Sequence, residues 1–98
     1  MQIRFTRRAE TDIIESYLYG LEYFGREQAD AYEESLHRAM EMIAANPRMA
    51  AERHEFAPPV RVHHHARHYI IYVIEEASIL VVRVLRDEMD LSRHLNVG

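Results

Sequence analysis

The chain has 98 residues, a formal net charge of -4, no Cys, and basic residues that are all Arg; these counts exclude disulfides, thiolate nucleophiles, Cys-ligated metal and lysine Schiff-base chemistry. No apolar run approaches the roughly 20 residues that span a bilayer, and Met1 to Phe5 do not open a secretory signal. One soluble cytoplasmic domain covering residues 1–98 is expected, since domains commonly run to about 100–150 residues.

Gln2-Ile3-Arg4-Phe5 alternates polar and apolar residues and predicts a first strand, with the Thr6 hydroxyl placed to cap a helix behind it. Ile13, Tyr17, Leu21 and Phe24 then recur at helical spacing, and Ile14 and Leu18 widen the stripe. Gly20 inside this helix marks a close packing contact, and Gly25 suits the positive-φ position that ends it. A second helix carries Ala29, Tyr32, Leu36, Ala39, Met40 and Ile43 on one face, with charged residues opposite, until Asn46-Pro47 stops it. A connection as short as Gly25-Arg26 folds the two helices into an antiparallel hairpin.

Residues 48–59 read as a loop ending in Pro58-Pro59, after which the period changes. Val60, Val62 and His64 share one face of a strand, Tyr69 to Ile74 has the β-branched and aromatic character of a central strand, and Ile79 to Leu85 pairs with it beyond a short polar break. Asp90 caps a last turn from Leu91 to Leu95 ahead of a short tail. The predicted fold is α+β, in the order β-α-α-β-β-β, with the helical hairpin on one face of a small antiparallel sheet. Strict alternation puts Tyr69, Ile71 and Val73 against Ile70, Tyr72 and Ile74, and Ile79, Val81 and Arg83 against Leu80, Val82 and Val84. Both faces are apolar while the hairpin covers one, so a protein partner is expected on the other.

Residues 1–55 hold seven Arg and eleven acids, whereas residues 56–98 hold five of each, so the negative balance belongs to the helical half. An acidic chain is a poor general nucleic-acid binder, and a protein partner is favoured. The segment from Val60 to Ile74 contains Arg61, Arg67, His63, His64, His65 and His68 and no acid. His63 and His65 point the same way on a strand, which suits either a metal site or a histidine cluster at the sheet edge. Those histidines with Arg61, Arg67 and Arg83 also supply the base, cation and acid that RNA cleavage requires. Asp12 with Glu15, and Glu33 with Glu34, fall on polar helix faces and read as solvated; Tyr17, Tyr32, Tyr69 and Tyr72 read as packing. Three Gly in the chain cannot build a phosphate loop.

Several blocks resemble the ParE branch of the RelE/ParE toxin superfamily, over nearly the whole chain. Phe5-Thr6-Arg7-Arg8-Ala9-Glu10-Thr11-Asp12-Ile13 is similar to the family's opening "LSxxAxxDL". Phe24 to Ala29 and Ile43 to Arg48 continue the match, and His65-Ala66-Arg67-His68-Tyr69-Ile70-Ile71-Tyr72 is its most specific part. The stretch from Arg83 to Leu95 is similar to the ending "RVLHxxMDxxxHL", with Arg86 in place of the usual His, and Val73 stands where many relatives carry Arg. The resemblance implies a toxin that binds DNA gyrase and stabilises cleaved DNA without catalysis, cofactor or metal. It also implies neutralisation by a ParD-like antitoxin, which itself carries the operator-binding domain, so that this chain reads no DNA sequence. The RelE branch, which cuts mRNA on the ribosome, is the alternative; the missing Lys and the lack of Tyr after Tyr72 lean against it. A detoxified module that only binds the antitoxin is a third reading. Within this frame Tyr17, Leu21, Ile71 and Val81 are expected to meet the antitoxin, and Arg67, Arg83, Arg86, Arg93 and His94 the target. Charge reversal at Arg67, or loss of Leu91 to Gly98, is expected to separate toxicity from antitoxin binding.

Overall fold

Thr6 ends one element and starts the next. Its backbone N–H donates to the Val81 carbonyl at 3.0 Å, its hydroxyl donates to the Val82 carbonyl at 2.8 Å, and the same oxygen accepts from the Ala9 N–H at 3.0 Å. In the computed structural model, which describes residues 1–95, the elements are β1 (Gln2–Phe5), α1 (Arg7–Phe24), α2 (Arg26–Ala45), β2 (Glu52–Arg53), β3 (Val60–His65), β4 (His68–Ile74), β5 (Ser78–Arg86) and α3 (Leu91–His94). The tail expected after Leu95, residues 96–98, lies outside the described residues. No helix among those described is long and apolar enough to cross a membrane.

The helical hairpin is as expected. Gly25 takes φ 86° between α1 and α2, and a Cβ at Gly20 would stand 3.2 Å from the Ala29 Cβ, so the absence of a side chain lets the helices close. The sheet departs from the expectation of antiparallel pairing throughout. Its order is β1-β5-β4-β3-β2, and β1 runs parallel to β5, from Gln2 opposite Ser78 to Phe5 opposite Val81. Only strands adjacent in sequence have their direction set by a hairpin turn; β1 is separated from its partner by the whole helical hairpin and the meander, so tertiary closure sets its direction. The loop over 48–59 also contains a short edge strand, β2, whose Glu52 and Arg53 pair with Arg61 and Val60.

The main core lies between hairpin and sheet. Leu36, Met40 and Ile43 of α2 meet Ile70 and Tyr72 of β4 and Ile79 and Val81 of β5. Each such side chain contributes roughly 1.5–3 kcal/mol on leaving water. Tyr72 also donates its hydroxyl to the Pro47 carbonyl at 2.6 Å, anchoring the end of α2 to the central strand. On the opposite face Phe56, Val60, Ile71 and Leu85 form a second cluster, against which Met89, Leu91 and Leu95 pack. The face expected to lie bare is therefore partly covered by the chain itself. Phe56 and Met89 sit in irregular segments, where no periodicity announces them, and Leu91 opens α3.

A bulge in β5 breaks the expected alternation. Ile71 pairs with Arg83 but Tyr72 pairs with Val81, so Val82 is the extra residue. Before the bulge Ile79 and Val81 face the helices; after it Val84 does so, and Leu85 turns to the second cluster. The bulge thereby aims the end of β5 at α1, where the polar features of the molecule gather.

Candidate functional site

A groove of about 1040 Å³ opens between the hairpin, the β3–β4 turn and the end of β5. Two polar nodes build it. In the first, Asp12 of α1 accepts from Arg83 Nε at 2.8 Å, from the other guanidinium nitrogen at 3.1 Å and from the Val84 N–H at 3.0 Å. Both side chains are little exposed, 13% for Arg83 and 11% for Asp12. Asp12 is therefore no part of a solvated face: β5 passes close enough to α1 to enclose it, a contact 71 residues away in sequence. The hydrogen bond that Arg83 donates to the Asp12 carboxylate holds the Arg83 pKa above its ordinary value.

The second node is His68, which is buried. Tyr32 Oη accepts from the Arg67 N–H at 3.3 Å and shares a hydrogen bond with His68 Nδ1 at 2.5 Å. His68 Nε2 lies on the other side of the ring, 3.3 Å from the Ser16 hydroxyl. One imidazole thus joins α1, α2 and β4. Burial, with Arg86 nearby, lowers its pKa, and burial also lowers those of His63 and His65 and raises that of Tyr32. A depressed histidine pKa means that the unfolded chain takes up protons first as pH falls. The urea midpoint is accordingly expected to hold above about pH 6.5 and to drop below it, levelling off only under the lowered folded values, in a titration between pH 7.5 and 5.

The rim displays Arg67. Ala66 takes φ 50°, a left-handed conformation that costs a non-glycine residue about 1–3 kcal/mol, and two hydrogen bonds hold the turn there: Arg67 N–H to Tyr32 Oη, and Asp87 N–H to the Arg67 carbonyl at 2.8 Å. The Arg67 side chain is left exposed at the groove's mouth. Arg86 lies 5.0 Å over the Tyr19 ring and 2.9 Å from Glu88.

Of the residues expected to meet a target, Arg67, Arg83, Arg86 and His94 all line this groove, with Arg93 exposed on α3 beside it. Arg83 is committed to Asp12 and is not available to a partner without leaving that carboxylate exposed to loss of its ion pair. Of those expected to meet an antitoxin, Tyr17 and Leu21 are half-buried, and Tyr17 donates to Asp30 at 2.5 Å. Ile71 and Val81 are fully enclosed at 0% exposure, one in each core cluster, and offer no surface to any partner. The apolar surface actually presented is on α1: Ile14, Leu18, Tyr19, Tyr23 and Phe24 are between 43% and 61% exposed. Ile14, Leu18 and Phe24 read as part of a widened core stripe, yet a helix in a two-layer fold buries little more than a 100° sector. The surplus of apolar residues was the available signal.

The histidine run divides. His63 and His65 face the helix side of β3, His64 lies on the other side 3.1 Å from Asp87, and His68 belongs to the groove. Arg61 donates to the Ala50 carbonyl at 2.6 Å. Of the residues of the cleavage reading, Arg67, His68 and Arg83 share the groove, but Arg83 is tied to Asp12 and His68 is buried, while Arg61 of β3 donates to the Ala50 carbonyl outside it. Among the described residues no three His, Cys, Asp or Glu side chains gather as a metal site.

Residues 3–91 match the family model of the ParE toxin of the type II toxin–antitoxin system parDE. The chain belongs to the ParE toxin family. The protein named Toxin ParE1 from Mycobacterium tuberculosis is 38% identical over 73 residues, 74% of each chain. Toxin ParE1 of Caulobacter vibrioides is 29% identical over 92 residues, covering 94% of this chain and 95% of its own. A chain of the chromosomal ParDE toxin–antitoxin system from P. aeruginosa shares the fold with a TM-score of 0.75 at 20% identity, covering 90% of this chain and 97% of that one. In this ParE family member the matched span includes Asp12, Tyr32, Arg67, His68, Arg83 and Arg86, whereas Arg93 and His94 lie beyond it.

Proposed function

We propose that this chain is the toxin of a ParDE-type pair, that it acts in the cytoplasm by binding DNA gyrase and stabilising cleaved DNA, and that a ParD-like antitoxin neutralises it by direct binding. The observation that carries the reading is the family match over residues 3–91. The engagement of Arg61, Arg83 and His68 in structural hydrogen bonds supports inhibition by binding rather than by catalysis. The target meets the cationic rim, with Arg67 foremost and Arg86, Arg93 and His94 around it. The antitoxin lays an apolar segment along α1, over Leu18 and Tyr23 and the neighbouring Tyr17 and Leu21, because an exposed apolar stripe of this kind is what a partner segment covers.

Induced alone in a bacterial host, the chain is expected to arrest growth, and co-expression of a ParD-like ribbon-helix-helix protein from its own operon to relieve the arrest. Primer extension on translated mRNA should reveal no new 5′ ends. Cuts within translated codons during arrest would transfer the chain to the mRNA-cleaving reading.

A further inference from the structure

The histidines of β3 take no part in the groove, and they stand on an unusual edge. β2 pairs only with Val60 and Arg61, so from Val62 to His65 the outer side of β3 has no ladder partner among the described residues. Open edges are ordinarily guarded by Lys, Pro or a bulge. Here the edge presents Val62, His63, His64 and His65 and none of those guards.

His63 and His65 lie on one face, opposite Ile70 and His68 in the ladder, and are spaced by about 6.6–6.8 Å along the strand. Their rings are set up as ligands. The Ser35 hydroxyl donates its proton to the Tyr32 carbonyl at 2.8 Å, so its oxygen accepts the Nε2–H of His65 at 3.0 Å. That fixes the proton on Nε2 and leaves the Nδ1 lone pair of His65 free for a metal, in the way that hydrogen bonds from the far ring nitrogen orient metal-bound histidines. The His63 ring has no hydrogen-bonded partner among the described residues, and burial keeps both imidazoles more readily neutral than usual. Neutral imidazole is the form that binds a metal.

One chain supplies two such ligands, and no third His, Cys, Asp or Glu joins them among the described residues. A closed zinc site takes four. An identical strand pairing antiparallel about His64 places His65 of the second copy opposite His63, and His63 of the second copy opposite His65. Directly opposed residues in such a pair have Cβ atoms about 4.5–5.5 Å apart. Only a second copy related by a two-fold axis brings the same pair of ligands to the same face, and it satisfies the open edge in the same step. We propose that zinc bridges two copies of this chain through His63 and His65 of each, joining the two sheets edge to edge along Val62 to His65.

The test is sedimentation velocity of the purified full chain, titrated with zinc chloride in chelator-free buffer at pH 7.5. The mass rises from 11.6 kDa to about twice that value, saturates at one zinc per two chains and returns with EDTA. Cobalt in place of zinc gives the intense visible bands of a tetrahedral site in the unaltered protein. His63→Ala and His65→Ala each abolish the shift, and His64→Ala, on the opposite face, keeps it. Ser35→Ala weakens zinc binding about tenfold while retaining the cobalt spectrum at saturation. Binding of one zinc per chain at unchanged mass, an octahedral cobalt spectrum, or a zinc-dependent dimer that survives loss of both His63 and His65 overturns the proposal. So does a zinc-independent monomer whose edge is taken only by a peptide strand.

Discussion

Replacing Asp12 with Ala is expected to lower the unfolding free energy by about 2–3 kcal/mol, the cost of leaving a partly buried guanidinium and a backbone N–H without their acceptor. At the 4–8 °C per kcal/mol of a domain this size, the thermal midpoint falls by more than about 8 °C. Asp12 accepts three hydrogen bonds, and its loss strands both the Arg83 guanidinium and the Val84 N–H beside the β5 bulge. The double variant Asp12→Ala with Arg83→Met is expected to recover a good part of the loss, because no buried charge then remains unpaired. Thermal unfolding followed by circular dichroism checks both. An Asp12→Ala protein that melts with the wild type would mean the pair is not closed in solution. By contrast Arg4 and Glu75, 2.8 Å apart at the surface with Arg4 62% exposed, should each be replaceable at a cost within about 1 kcal/mol.

Arg67→Glu is expected to weaken action on gyrase about tenfold to a hundredfold while leaving antitoxin binding intact, since a central Arg in a protein interface commonly contributes about 2 kcal/mol or more. The two bonds that fix the turn use only the backbone of Arg67, its N–H and its carbonyl, so the variant keeps the fold. Leu18→Glu should do the reverse, losing antitoxin capture and keeping toxicity, because Leu18 is 56% exposed and supports no core contact. Titration of each purified variant against gyrase and against the antitoxin separates the two surfaces; equal loss in both assays for either variant would merge them. Removal of Leu91 to Gly98 is a poorer experiment than sequence suggests. Leu91 and Leu95 pack on the cluster of Phe56, Ile71 and Leu85, and their removal strips the second face of the sheet.

What the sequence made legible follows the range of the interactions concerned. The helical hairpin, the Thr6 cap, the Gly20 contact and the strands from Val60 to Arg86 are set by periodicity and local chemistry, and all are present. The parallel pairing of β1, the two-residue β2 and the bulge at Val82 depend on partners remote in sequence, for which no local pattern exists. The same division runs through the site. The block from His65 to Tyr72 singled out the turn that displays Arg67, yet nothing near Asp12 signals Arg83, and nothing near His68 signals Tyr32 and Ser16, 36 and 52 residues away. Ile71 and Val81 offer no surface for different reasons: the irregular segments around Phe56 and Met89 cover Ile71, whereas the alternation along β5 turns Val81 under the helical hairpin.

The most direct test of gyrase binding is a supercoiling and cleavage assay with purified gyrase, relaxed plasmid and the purified chain. The expected result is loss of supercoiling with accumulation of protein-linked linear DNA, reversed by adding the antitoxin and reduced at least about tenfold by Arg67→Glu. Undiminished supercoiling with no trapped breaks, at concentrations of a folded chain that arrest growth when expressed, would contradict it.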